Sequence, residues 1–144
     1  MSTVLRPVRK APWHLFVVAV VALLWNGAGA YTIMMAQAGK LYDLEPGEAA
    51  YYSAQPLWFV VVTDIALVAA IAAALALLSR KSIAVWLFAL SLGAIVVTNS
   101  YEFAASTSRA LLSRAALVVT VIIVLIAVFE LAYAWAMQRR AVLR

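Results

Sequence analysis

The run Leu57–Leu78 constrains this chain most, because its twenty-two residues are almost wholly apolar and carry one charge, Asp64. A helix rises about 1.5 Å per residue, so this run can cross a hydrocarbon core of about 30 Å. A carboxylate within lipid is costly and normally faces protein or water. Asp64 is therefore the most informative polar residue of the chain.

Three further apolar runs complete a four-span pattern. Of the 144 residues, 67% are apolar and 12% are charged, against about 45–50% and 25% in soluble domains. The sequence predicts an all-α membrane protein that forms one domain over residues 1–144. Its four transmembrane helices, in an up-down-up-down bundle, are expected at about 13–36, 57–78, 83–103 and 114–137.

The first apolar run has some features of a signal peptide. A basic amino end precedes it, and Ala28-Gly29-Ala30 resembles a cleavage site with small residues. The run stays apolar beyond that point, so we expect an uncleaved span. Cleavage would leave three spans and a different topology.

The connections predict the orientation in the membrane. Eight of the eleven Lys and Arg residues lie at the amino end, in the turn around Arg80-Lys81 and at the carboxyl end. Cytoplasmic segments carry such an excess, so both termini are expected in the cytoplasm of a bacterium, with the bundle in its inner membrane. The acidic connection 37–55 would then face the periplasm, with a short interfacial helix from Pro46 to about Ala54. A polar loop with Arg109 is expected at 104–113.

Composition excludes several function classes. The chain has no cysteine and one histidine, His14, which removes disulfides, thiolate metal sites and a bis-histidine haem within one chain. No cofactor, metal site or catalytic residue is predicted. The net charge of +5 comes from basic residues at span ends, so nucleic acid is not an expected partner. The expected partner is the lipid bilayer.

Polar residues within the spans predict contacts by depth. Counting about 1.5 Å per residue places Asn26 and Asp64 in nearly the same layer, with Thr120 close to it. Asn26 is therefore a candidate hydrogen-bond partner of Asp64. Asn99 and Glu102 lie nearer the periplasmic surface and share one helix face.

The spacing of small residues predicts which faces pack. The side of the first span that carries Asn26 should face the bundle, because small residues let helices approach closely. It also carries Ala19, Ala22, Gly29, Ala30 and Gln37. In the second span a second stripe of small residues forms the close-packing side: Ala66, Ala69, Ala73 and Ala76. Asp64 lies opposite that stripe, facing either a looser cavity or a second chain.

The remaining acids and aromatic residues are expected nearer the membrane surfaces. Glu130 is predicted to reach the cytoplasmic interface near Arg139, and Glu102 to be solvated or paired with Arg109. Trp25 is too deep for an interfacial belt, so it should pack in the core or line a pocket. Aromatic residues expected at the two interfaces are His14 with Trp13, Trp86, Tyr133 and Trp135 inside, and Tyr42, Tyr51, Tyr52 and Trp58 outside.

Short motifs along most of the chain resemble one protein family. They are Trp25-Asn26 with Gly29, Pro56-Leu57-Trp58, Arg80-Lys81 and Ser91-Leu92. This pattern is similar to that of an uncharacterised family of small bacterial four-helix inner-membrane proteins, often automatically labelled "sugar transporter". The resemblance implies the fold and the inner membrane, but the family offers no established binding residues to carry over.

Two functions remain open from the sequence. The first is an accessory or interaction subunit that packs with itself, as a homo-oligomer, or with a larger membrane complex. The alternative is a small-molecule transporter or ligand-binding bundle with a periplasm-facing pocket around Asp64. Its candidate ligand-binding residues are Trp25, Asn26, Tyr31, Asp64, Asn99, Glu102 and Thr120. An enzyme is not expected, because Asp64 and Glu102 lie at different depths and acid–base catalysis needs both within reach of one substrate.

Overall fold

The computed structural model describes residues 10–42, 46–105 and 114–144, and within these ranges the chain is helical with no strand. Four long apolar helices, each able to cross a membrane by length and composition, and one short helix make up this part of the chain. Their bounds are α1 Trp13–Gln37, α2 Pro46–Ser53, α3 Leu57–Leu78, α4 Ile83–Ala104 and α5 Arg114–Arg139. The predicted all-α, four-span fold is confirmed, including the short helix after Pro46.

Some predicted segments lie outside the described residues. These are the basic amino end before Lys10, the acidic residues Asp43 and Glu45, and most of the loop with Arg109.

Prolines and left-handed residues set the helix ends. Pro12 and Pro56 directly precede α1 and α3 in an extended conformation, with φ near −69° and −68°, so each helix begins one residue later. Arg80 and Ala141 have φ of 58° and 56°, the left-handed conformation that closes a helix at its carboxyl end. The Lys81 N–H then donates to the carbonyl oxygen of Ala76 at 2.8 Å, which satisfies a free carbonyl at the end of α3.

Helix α3 is the packing centre, because it contacts both α1 and α4, and α4 in turn contacts α5. Small side chains allow helix backbones to approach closely within a bilayer. The predicted close-packing stripe is confirmed, since its four alanines are at most 8% exposed: Ala66, Ala69, Ala73 and Ala76. The predicted inward side of α1 is confirmed in the same way by buried Ala19, Ala22 and Ala30.

Three of the most completely buried large side chains gather at one end of the bundle, which we call the basic end. It joins the start of α1, the turn between α3 and α4, and the end of α5. Leu15, Leu77 and Phe88 are at most 2% exposed there and belong to one hydrophobic cluster with Met137 and Val142. This arrangement of helix ends is that of an up-down-up-down bundle.

The half of the bundle away from the basic end, which we call the distal half, contains the first turns of α5. Leu117, Val118 and Val119 are exposed there in succession, whereas Thr120 is half-buried.

Candidate functional site

Asn26 and Glu130 form the central polar contact within the spans. The Nδ2 of Asn26 donates to Oε1 of Glu130 at 2.8 Å, and also to the carbonyl oxygen of Ala22, one turn earlier on α1, at 2.9 Å. Glu130 is only 5% exposed. A half-buried amide and a buried carboxyl thus pair between α1 and α5, as polar residues between transmembrane helices do.

This contact corrects two predictions. Asn26 bonds Glu130, and none of the described hydrogen bonds joins it to Asp64. Glu130 lies buried against α1 and does not reach the interface near Arg139, whose guanidinium instead stacks 4.5 Å above the ring of Trp135. Counting residues did not identify Glu130 as the partner of Asn26, because it places Glu130 nine residues before Arg139, about 14 Å from the basic end and nearer to it than Asn26. The long side chain of Glu130 spans the difference in depth.

A second side-chain bridge lies nearer the basic end. His14 Nδ1 and the Tyr133 hydroxyl are 2.6 Å apart, and their rings meet edge to face with centroids 5.9 Å apart. Tyr133 follows Glu130 by three residues, so both lie on one face of α5. Long polar side chains therefore join α1 to α5, whereas small side chains join α3 to its neighbours. The i, i+3 spacing of Glu130 and Tyr133 was the sequence signal for this face.

Asp64 lies on the outward side of α3. At about 100° per residue it is turned roughly 160° from Ala66, the centre of the buried stripe. Val61, Val68 and Leu75 on the same side are 46%, 64% and 47% exposed. The Oδ1 atom of Asp64 is nevertheless covered, and it has no hydrogen-bond partner among the described residues.

Other buried polar atoms without a partner in the described chain lie in the same region. They are Gln37 Nε2 at the end of α1, Gln55 Oε1 just before α3, and Thr63 Oγ1 beside Asp64. Buried polar groups in proteins are nearly always hydrogen-bonded, so each exception calls for a physical reason. All of them belong to the distal half, away from the cluster of large side chains.

Glu102 connects the short helix to the bundle. It accepts a hydrogen bond from the hydroxyl of Tyr51 on α2, and its predicted partner Arg109 lies outside the described residues. Trp58 packs edge to face on Tyr101 next to it, with centroids 4.8 Å apart. Tyr52, also on α2, has its pKa raised above the ordinary value of 10.0, first by burial and then by the nearby charge of Glu48.

The remaining predicted ligand-binding residues are dispersed. Trp25 is 43% exposed and Tyr31 is 65% exposed, so Trp25 does not pack in the core, which was one of the two positions expected for it. Asn99 and Thr120 are half-buried. A shallow groove of about 260 Å³ lies on α5, and its lining is apolar: Leu117, Val118, Val121 and Ile122. None of the predicted ligand-binding residues lines it.

The described residues offer no group of three or more His, Cys, Asp or Glu side chains that could hold a metal ion. The chemistry available is hydrogen bonding between helices, together with buried acceptor atoms on Gln55, Thr63 and Asp64 that no described donor satisfies.

These features define a class, a small integral membrane protein built as a bundle of four apolar helices. Comparison with protein-family models, with curated proteins and with solved structures finds no match. The resemblance to small bacterial four-helix proteins stays a prediction.

Proposed function

We propose that this protein is an interaction subunit that binds a transmembrane helix of another membrane protein through the outward side of α3. The observation that carries the proposal is the position of Asp64: its partly exposed carboxyl lies on the outward side of α3, and its Oδ1 atom has no hydrogen-bond partner among the described residues. A helix packed over Val61, Val68 and Leu75 would place a donor beside the accessible part of this carboxyl and cover these exposed side chains.

The energetics favour such a partner. An aspartate near the middle of a transmembrane helix costs about 2.5–3.5 kcal/mol on insertion scales. Asp64 is the eighth residue of α3, about 12 Å inside the span. A hydrogen bond between transmembrane helices contributes about 0.6–1.7 kcal/mol, so a donor on the partner offsets part of the cost.

Charge complementarity points to a different chain and not to a second copy. The four long helices contain no Lys or Arg apart from Arg114 and Arg139 at the two ends of α5. A second copy therefore offers no cation at the depth of Asp64, only neutral donors such as amides, hydroxyls and the indole N–H of Trp25, or another carboxyl. The partner helix should carry an arginine or lysine at that depth.

The alternative, a transporter with a pocket around Asp64, requires the predicted ligand-binding residues to converge. In the described structure Asn26 is engaged with Glu130, Glu102 with Tyr51, and Trp25 and Tyr31 are exposed. We therefore favour the interaction subunit.

The proposal includes a bacterial inner membrane with the basic end in the cytoplasm. Lys10, Arg80, Lys81, Arg139, Arg140 and Arg144 all belong to the basic end, and the cation bias of loops sets orientation. Reporter fusions at both termini should give cytoplasmic signals. A periplasmic signal from either terminus contradicts this orientation.

Binding can be tested with designed partner helices in neutral lipid vesicles. The probe is a labelled leucine-rich transmembrane helix with one arginine at the depth of Asp64, and its control has leucine there. Energy transfer to the labelled protein should show the arginine helix binding at least about fivefold more tightly to the wild type than to Asp64→Leu.

A rotated acid provides the matched control. The double variant Asp64→Leu/Ile65→Asp keeps the charge and the depth but turns the carboxyl by about 100°, and it should bind the arginine helix as weakly as Asp64→Leu. Equal binding by all three proteins would overturn the proposal. Self-association of the wild type that depends on residue 64, without binding of the arginine helix, would replace the partner with a second copy.

A further inference from the structure

The segment 141–144 after α5 folds back onto the turn between α3 and α4. The N–H of Arg144 donates to the carbonyl oxygen of Arg80 at 2.7 Å, and the N–H of Ser82 donates to the carbonyl oxygen of Arg144 at 2.6 Å. Val142 and Leu143 are 4% and 7% exposed and belong to the hydrophobic cluster of the basic end. The backbone of this docked segment is therefore held on both sides of Lys81.

Arg80 holds the docked segment with its side chain. Its Nε and Nη2 atoms both donate to the carbonyl oxygen of Val142, at 3.2 and 3.1 Å. This fork of two hydrogen bonds is the geometry that arginine supplies and lysine cannot. The guanidinium of Arg80 is thus used within the protein, whereas Lys81, Arg140 and Arg144 are exposed.

Docking brings positive side chains together at the basic end, with no acidic side chain beside them in the described part of the chain. Arg144 is fixed beside Lys81 by backbone hydrogen bonds, and Arg140 directly follows α5, four residues before Arg144. The described carboxylates lie elsewhere: Glu48, Asp64 and Glu102 in the distal half, and Glu130 about 14 Å up α5 from Arg139. Nothing in the described ranges 10–42, 46–105 and 114–144 places a side-chain carboxylate among these three cations.

Exposed tryptophans show where these cations lie relative to lipid. Trp13, Trp86 and Trp135 at the basic end are 77%, 74% and 51% exposed, as residues of an interfacial aromatic belt are. The guanidinium of Arg139 stacks on Trp135, so the last turn of α5 is at the level of that belt. At the level of such a belt these cations are within reach of lipid phosphates, and exposed apolar helix faces lie beside them.

We propose that Lys81, Arg140 and Arg144 form a binding site for the headgroup of an anionic phospholipid, and that docking of the segment 141–144 assembles it. Arginine binds phosphate oxygens through paired, charge-assisted hydrogen bonds, and lysine adds a further positive charge. Basic residues at a membrane surface each strengthen the attraction to anionic lipid. A phospholipid satisfies both the cations and the apolar surface beside them, whereas free phosphate satisfies only the cations.

Lipid retention by the full-length protein tests this site. The protein is purified into equal amounts of phosphatidylglycerol and phosphatidylcholine with the same acyl chains, and bound lipids are counted by native mass spectrometry. The wild type should retain phosphatidylglycerol preferentially, and each of Lys81→Gln, Arg140→Gln and Arg144→Gln should lower the preference, by up to about fivefold. The matched control Lys40→Gln, an exposed cation distant from the basic end, should leave the preference unchanged.

Two further arms make the test decisive. Val142→Gln/Leu143→Gln keeps every cation but opposes docking of the segment 141–144, so it should lose most of the preference while circular dichroism shows an unchanged helix content. An undiminished preference in that variant would refute the role of docking. Inorganic phosphate in excess over lipid should leave the wild-type preference in place, and full displacement by phosphate would identify a free-anion site instead. Equal retention of both lipids by the wild type would overturn the proposal.

Discussion

The hydrogen bond between Asn26 and Glu130 allows a quantitative test of how α1 is held against α5. The two atoms are 2.8 Å apart, and Glu130 is 5% exposed, so no water replaces the bond when the amide is removed. Hydrogen bonds between transmembrane helices average about 0.6 kcal/mol and reach about 1.7 kcal/mol. Because Asn26→Leu leaves a buried carboxyl without its donor, we expect a loss near the upper limit, about 1.5 kcal/mol.

A double-mutant cycle isolates this bond. Asn26→Leu and Glu130→Leu are each expected to lower the free energy of unfolding, measured by reversible denaturation in mixed micelles or by steric trapping in bicelles. In the double variant the free energy of unfolding should fall by less than the sum of the two single decreases, because neither partner is left unpaired. Thr32→Val, which removes only a bond to the carbonyl of Ala28 within α1, should change stability by less than about 0.5 kcal/mol. A coupling energy indistinguishable from zero would refute the reasoning.

Three further predictions follow from other contacts. Tyr133→Phe removes the hydroxyl 2.6 Å from His14 and should lower the free energy of unfolding by about 0.5–1.5 kcal/mol, whereas Tyr42→Phe at a 92% exposed position should not change it. Ala73→Leu at a fully buried position of α3 should destabilise by about 1–3 kcal/mol or more through overpacking, with Val68→Leu as the neutral control in the same denaturation series. Tyr52 has a raised pKa, so its contribution to stability is complete below its ordinary pKa and is lost as pH rises through the folded value. Glu48→Gln should lower the pKa of Tyr52 in a spectrophotometric titration, and an unchanged titration would contradict the role of Glu48.

Sequence patterns predicted the fold because length and hydropathy alone determine which segments can span a bilayer. The alanine stripe of α3 was predictable for the same reason, since small residues at helical spacing have one close-packing interpretation. The prolines directly before α1 and α3, and the proline at the first position of α2, also indicated where these helices begin.

The partners of the polar residues were not predictable in the same way. Counting residues from each span end gives depth to about one helical turn, which cannot separate Asp64 from Glu130 as the partner of Asn26. Which acid pairs with Asn26 depends on which side chains face α1 and on how far they reach. Glu130 faces α1 and has the longer side chain. Docking of the segment 141–144 was also missed, because four residues carry no periodicity and the contact consists mainly of backbone hydrogen bonds.

The central claim is that the outward side of α3 around Asp64 contacts a partner helix, and photo-crosslinking in the native membrane tests it most directly. A photoreactive residue at Val68, 64% exposed, is compared with one at Ala69, 5% exposed, as the inward control. We expect a protein adduct at position 68 that disappears in Asp64→Leu and in Asp64→Leu/Ile65→Asp, with a partner span that carries an arginine or lysine at the matching depth. Adducts at position 68 that consist only of lipid, or that persist without Asp64, would contradict the claim.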